Sequence, residues 1–344
     1  MNLYNHFILE KWRKLFNTME EKKINDFLNS KAKPPYSLGL LEDYGKKIML
    51  LNGQLLTRLD AKHMVFASDN GICEEGVVIQ NTDITRRQAE NMCNNGATIN
   101  QLCNFYGVNL EIHDVGIKAE SNVIHQISKK SLGTKNFLKE PAMTQKEFDN
   151  VYTYGYNRVK KDNHYHVFSF GEMGIGNTTT SATVLGALTY PSININDLVG
   201  YGAFKDETVL ARKKEVVNQM MDKKIYSLDA YEIVRLVGGF DIVAIMGAMK
   251  ACSELKKPFV LDGYITTAAL YALYKKDNSI IDYVIPSHCS REPGMKNVLK
   301  LMGLEDTPLN MNMALGEGSG AVMMIGLLKM FFYTINNMNN LSDL

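Results

Sequence analysis

Two glycine-rich stretches of this 344-residue chain carry residue types suited to chemistry. In GEMGIGNTTT (171–180), Gly174 and Gly176 run into Asn177, Thr178, Thr179 and Thr180. Glycines let backbone N–H groups approach an anion, and a helix starting at the threonines adds partial positive charge. The competing explanation is a tight strand–helix turn with threonine caps. The stretch lacks the Lys-Ser/Thr ending of a triphosphate loop and the GxGxxG order of a dinucleotide site. One phosphate is the better fit, with Lys213, after the glycine turn GYG (200–202), as a candidate cation. The second stretch is LGEGSGA (315–321), where Glu317 stands between glycines in an otherwise apolar segment. Desolvation there raises a carboxyl from about 4.3 towards about 6–7, the range of a usable general base. A glutamate at a helix N-terminus explains the same pattern without catalysis.

Other candidates fall away. FVLDGYITT (259–267) resembles a loop for phosphoribosyl pyrophosphate, but Gly263 stands where a second acid belongs, so metal-bridged diphosphate loses support. His288 and Cys289 are adjacent, and neighbours on an extended chain point apart, which disfavours a Cys–His nucleophile. No histidine spacing suits a metal.

These motifs need a scaffold at strand ends. Apolar runs closed by polar or glycine turns recur along the chain: HMVFAS, NLEIHD, HVFSFGE, PFVLD and DYVIP. Helix-like stretches separate them, including 240–255 and 266–276. The alternation predicts an α/β fold, a doubly wound, mostly parallel, Rossmann-like sheet with ligands beyond the carboxyl ends of the strands. Asp69, Asp114, Glu172, Asp262 and Ser287 fall at those ends. Apolar spacing predicts helices in 4–16, 18–30 and 38–50, with a proline-punctuated loop at 31–39. A small helical lobe is expected from residues 1–60 plus about 325–344, beside a catalytic domain over 61–324. The Asn-rich tail at 336–340 is expected to fray.

Composition narrows the partners. Lys plus Arg number 38 and Asp plus Glu 37, which leaves no basic surplus for nucleic acid. Five cysteines without a CxxC pair argue against structural zinc or a disulfide framework and fit a reducing compartment. The N-terminus lacks an apolar signal core, and the apolar tract 321–335 is too short to span a bilayer, so it is read as a buried helix. A cytoplasmic protein with no membrane contact, no metal and no cofactor is expected.

Taken together, KPPYSLGLLE (33–42), DNGICEEGV (69–77), ITRRQAENM (84–92), GEMGIGNTT (171–179), GGFDIVAIMGAM (238–249), VLDGYITTAA (260–269), PSHCSREPG (286–294) and LGEGSGA resemble, in order, the nicotinate-nucleotide–dimethylbenzimidazole phosphoribosyltransferase family of cobalamin nucleotide-loop assembly. The resemblance implies transfer of phosphoribose from nicotinate mononucleotide to an aromatic azole, with inversion at C1′, by a homodimer. It implies Glu317 as general base. Glu172, Gly174, Gly176, Asn177, Thr178, Gly202 and Lys213 fall to phosphate and nucleotide binding, together with Ser290 and Glu292. Gln80, Gln88 and Leu315 fall to the base pocket. The chain departs from the familiar pattern at Tyr36, Asn70 and Gln80-Asn81, in places where Gly, His and Ser-Pro are often seen. A longer amide along the azole wall predicts an altered base preference, for another benzimidazole, a purine or a phenol. A flavin- or NAD-dependent Rossmann enzyme and a non-catalytic sensor of a phosphorylated precursor are the rival classes. The missing GxGxxG speaks against the first and the intact Glu317 against the second.

Overall fold

A computed structural model of the chain describes residues 18–121, 123–124 and 132–344. The helix expected over 4–16 lies outside the described residues. The remaining N-terminal expectations correspond to α1 (Thr18–Asn29) and α2 (Leu40–Asn52).

Each of the five apolar runs coincides with a strand: β1 (Ala61–Ser68), β2 (Asn109–Gly116), β3 (Val167–Met173), β4 (Phe259–Leu261) and β5 (Val284–Pro286). They form one sheet, all parallel, in the order β2–β1–β3–β4–β5. Parallel strands need long crossovers, and these cover both faces with helices, which is why the strands read as near-continuous apolar runs. Side-chain alternation sorts them into two cores. Met64, Phe66, Phe168, Phe170, Phe259 and Leu261 face one cluster. Val65, Val167, Val260 and Ile285 face the other.

The first face is covered by α5 (Gln145–Lys161), α6 (Asn177–Thr189), α8 (Ala230–Val237), α9 (Phe240–Glu254), α10 (Tyr264–Lys276) and α11 (Met295–Met302). Between α6 and α8 in the chain, α7 (Glu207–Asp222) adds Val216, Val217 and Met220 to the same core. The second face carries α1, α2, α4 (Thr98–Tyr106) and α12 (Ser319–Asn337). The short α3 (Ile84–Cys93) lies near the carboxyl end of β1. Ile24, Leu28, Ile48 and Phe331 from the two chain ends belong to the apolar cluster of that second face.

Two expectations change. The tail does not fray: Ala32 N–H donates to Asn339 C=O (2.9 Å), Leu341 N–H to Ser30 C=O (2.8 Å), and Lys31 Nζ to Asn340 Oδ1 (3.2 Å). These bonds give the polar tail backbone partners in place of water, tying the two ends of the described chain together. The apolar C-terminal helix, α12, runs 19 residues, long and apolar enough by composition to cross a bilayer. What marks it as core is burial against the sheet, not shortness.

The closest helix crossing on the first face depends on two glycines. A Cβ on Gly155 of α5 would lie 2.0 Å from the Ala244 carbonyl oxygen of α9, and one on Gly247 would lie 2.0 Å from that of Tyr152. Both obstacles are backbone, so neither can yield without parting the helices. Gly247→Ala is therefore expected to destabilise the protein by about 1–3 kcal/mol, despite alanine's better helix propensity. A lower urea midpoint at unchanged slope would show it; an unchanged midpoint would mean the crossing is loose.

Candidate active site

The chain leaves β1 outward to β2 and returns on the other side to β3, so the loops after β1 and β3 diverge and open a crevice at the carboxyl edge. A cavity of about 180 Å³, open to solvent at its mouth, occupies this place. Gln80, Glu172, Gly174, Gly176, Asn177, Thr178, Gly202, Lys213, Ser290, Glu292, Leu315 and Glu317 all line it. Gln88, the remaining expected site residue, donates from Nε2 to Glu317 Oε1 (2.6 Å). Residues far apart in sequence are thus brought to one cavity.

At one end lies the glycine turn. Gly176 has φ 89° and caps α6, the left-handed conformation that glycine takes without strain. A Cβ there would lie 2.5 Å from Cys73 Sγ, and one on Gly174 would lie 2.6 Å from the Ser68 carbonyl oxygen. The turn is tied from beneath: Ile175 C=O accepts from Asn70 Nδ2 (3.1 Å) and Cys73 Sγ (3.2 Å), and Ile175 N–H donates to Thr85 Oγ1 (3.1 Å). The α6 N-terminus, at Gly176, Asn177 and Thr178, therefore meets the cavity in a fixed orientation.

Lys213 on α7 reaches the same end, although it is buried. Its Nζ donates to Tyr201 C=O (3.0 Å), Thr178 Oγ1 (3.2 Å) and Gly200 C=O (3.3 Å). All three acceptors are neutral. Burial lowers its pKa, and the nearby Glu292 works in the opposite sense. Glu292 Oε1 accepts from Gly202 N–H (3.1 Å), and Glu292 N–H donates to Ser290 Oγ (3.1 Å), so this pair shapes the second glycine turn. A dianionic phosphate would add a directly bonded counter-charge beside the three neutral acceptors of Lys213 Nζ.

The carboxylates stand beyond the turn. Glu317 has φ 60°, between Gly316 and Gly318, both at φ 82°. Its Oε1 is taken by Gln88, and Oε2 is buried with no hydrogen-bond partner among the described residues. Burial raises its pKa and Asp262 adds to the rise, whereas Gln88 and the Ile99 N–H in the first turn of α4 oppose it. Glu172, at the end of β3, shares the Asn177 amide with Asp241: Nδ2 donates to Glu172 Oε2 and to Asp241 Oδ2 (3.1 Å). Burial, reinforced by Asp241, pushes the Glu172 carboxyl up to about 8, and burial pushes Asp241 up to about 6. Glu172 also abuts Gly316, where a Cβ would lie 2.5 Å from Oε1. It thus links the glycine turn to the segment that carries Glu317.

Sequence reasoning passed over Asp241 and His63. Asp241 sits in the quoted stretch GGFDIVAIMGAM, and His63 opens the run HMVFAS. The available signal in both cases was a single polar residue inside an otherwise buried apolar run. His288 and Cys289 do not pair: His288 Nδ1 meets Ser287 Oγ (2.9 Å), and Cys289 Sγ points to the Ser290 carbonyl (3.8 Å).

Residues 15–343 match the family described as phosphoribosyltransferase. The chain is 35% identical over 327 residues to the nicotinate-nucleotide–dimethylbenzimidazole phosphoribosyltransferase of Clostridium tetani, covering 94% of this chain and 90% of that one. It is 33% identical over 324 residues to the enzyme of the same name from Bacteroides fragilis, covering 92% of each. Among solved structures, CobT from Thermus thermophilus superimposes with a TM-score of 0.86 at 30% identity, covering 94% of this chain and 98% of the other. With the sheet order, the crevice and these likenesses in agreement, the chain belongs to the nicotinate-nucleotide–dimethylbenzimidazole phosphoribosyltransferase family.

Proposed function

We propose that the protein transfers phosphoribose from nicotinate mononucleotide to 5,6-dimethylbenzimidazole, giving α-ribazole 5′-phosphate and nicotinate. The observation that carries this reading is the unpartnered, buried Oε2 of Glu317, in the same cavity as a cradle for a single phosphate. The turn 174–178 and Lys213 hold the 5′-phosphate. One azole nitrogen attacks C1′ on the face opposite the nicotinate, whose C–N bond breaks with its electron pair returning to the pyridine nitrogen. The other azole nitrogen passes its proton to Glu317 Oε2. Nicotinate leaves from a ring that is already cationic, so no strong general acid is needed. The carboxylates around the sugar favour positive charge at C1′.

The working assembly is taken as a homodimer, as the family resemblance implies. The exposed side chains of Ile79, Phe204 and Leu315 at the cavity mouth are apolar surface available for a partner to cover.

Three measurements test the reading, and a fourth tests the electrostatics of the site. Incubation with nicotinate mononucleotide and dimethylbenzimidazole should release nicotinate and an α-ribotide. Glu317→Gln should lower turnover by about 10²–10⁴-fold, the range of a positioned general base. Full turnover in that variant would remove Glu317 from the role. Gln80 lines the cavity, so Gln80→Ser should change the ratio of turnover between dimethylbenzimidazole, adenine and a phenol by about tenfold or more. Unchanged ratios in competition would take Gln80 out of base selection.

The fourth concerns the proton on Glu172. Its folded-state pKa of about 8 lies above the ordinary 4.5, so the folded protein binds more protons than the unfolded chain between those values. The stability this group contributes is greatest at low pH and is lost as pH rises through 8. In ligand-free protein, Glu172→Gln should gain melting temperature relative to the native chain as pH goes from 6 to 8. A constant difference across that window would mean Glu172 is ionised throughout.

A further inference from the structure

Beneath Glu317 lie two polar side chains that the transfer reaction leaves unused. His63 on β1 and Ser169 on β3 are directly paired across parallel strands, and both are wholly buried. They lie on the sheet face otherwise built from Val65, Val167 and Val260. His63 Nε2 is 2.8 Å from the Glu317 carbonyl oxygen, and Nδ1 is 2.7 Å from Ser169 Oγ. A carbonyl oxygen can only accept, so Nε2 must carry the hydrogen. Nδ1 then offers its lone pair to the Ser169 hydroxyl. Both ring nitrogens are satisfied in one tautomer.

This contact falls on the backbone of a residue that needs holding. Glu317 is a non-glycine residue at positive φ, flanked by two glycines that impose little conformational preference of their own. Its carbonyl sits against Gly171, where a Cβ would lie 2.2 Å away, and His63 fills the space beside Gly318, where a Cβ would meet its Cε1 at 2.0 Å.

We propose that His63 is a positioning residue: oriented by Ser169, it clamps the Glu317 carbonyl and so aims the Glu317 carboxylate into the cavity. The inference rests on the assignment of Glu317 as the base. Burial holds the imidazolium pKa down at about 4, so the ring stays neutral and does not titrate with turnover. The charged group that acts on the pair is Asp262, whose Oδ1 accepts from Ala321 N–H (3.0 Å), whereas Glu172, three residues on from Ser169, points to the opposite face of β3. Gln88 and the Ile99 N–H face the Glu317 carboxylate. None of these replaces the bond to the carbonyl.

The test uses the full chain with His63→Leu, His63→Gln and Ser169→Ala. Leucine fills much of the space but donates nothing, whereas the glutamine amide can reach the same carbonyl. His63→Leu is expected to lower kcat on the order of 10²-fold, as a misplaced catalytic group does, with the KM for nicotinate mononucleotide nearly unchanged. His63→Gln should restore most of that loss. In ligand-free protein, the Glu317 carboxyl, followed by ¹³C NMR with Glu317→Gln for assignment, should titrate lower in the leucine variant, because a released carboxylate swings towards water. Native kcat in the leucine variant, equal losses in both His63 variants, or a loss confined to KM would overturn the proposal. If the leucine variant does not fold, Ser169→Ala should show a smaller fall in kcat at unchanged KM, and a native kcat there would overturn it. If the native protein releases no nicotinate with any base, the transfer reading fails on its own. The clamp is then decided by the Glu317 titration, and an unmoved value in the leucine variant sinks it.

Discussion

The site depends on a backbone contact between two distant segments, the residues 316–318 lying directly on β3. A Cβ on Gly171 would sit 2.2 Å from the Glu317 carbonyl oxygen and 2.8 Å from the Gly318 nitrogen, so only glycine lets the strand pass beneath the base. Three residues further on, Gly174 begins the glycine turn at the cavity. One short strand–turn–helix stretch therefore carries the turn at one end and supports residues 316–318 at the other. The span between the turn and Glu317 is set by how closely residues 316–318 pack on β3. Strand and turn are held in register by the sheet on one side and by the Asn70, Cys73 and Thr85 ties on the other.

Charge is distributed unevenly along that span. One end has Lys213 and the α6 N-terminus, while Glu172, Asp241, Asp262 and Glu317 gather beyond it. Glu172 and Asp241 share the Asn177 amide and cannot both ionise cheaply, so burial and then Asp241 raise the Glu172 carboxyl. The proposed transfer would use this field: nicotinate mononucleotide would bring a cationic pyridinium to these acids, and the ring would become neutral once its C–N bond breaks. The acids that attract the bound nucleotide would then repel the departing carboxylate, because the leaving group changes charge where the field is fixed.

Much of this was legible in the sequence because the chemistry lies in glycine-bounded turns. Short apolar runs with polar closures located all five strands; the four inner and far strands are buried and hold few polar residues, while the edge strand β2 is half-exposed along its first half. Glu317, Gly176 and Lys213 stood out as polar or small residues where the pattern required explanation. Less legible were features set by tertiary partners. The tail at 336–340 looks solvated in isolation and acquires its order from hydrogen bonds to residues 30–32, a pairing that local composition does not encode. His63 and Asp241 lie inside apolar runs, and each owes its role to a partner more than 60 positions away: Glu317 for one, Asn177 for the other.

The departures from the familiar family pattern separate on the same grounds. Tyr36 takes a position with φ 58°, where a glycine would be free of the roughly 1–2 kcal/mol that a left-handed conformation costs other residues. It is exposed and outside the cavity lining, so its effect falls on the loop's stability. Asn70 commits its amide to the Ile175 carbonyl beneath the phosphate turn. Asn81 closes a local turn through Oδ1 to the Asp83 N–H (2.9 Å) just before α3. Gln80 alone of the four lines the cavity. Of these four side chains, Gln80 is therefore the one placed to meet a ligand, and its amide reaches further than a serine hydroxyl, with two N–H donors and a separate carbonyl acceptor.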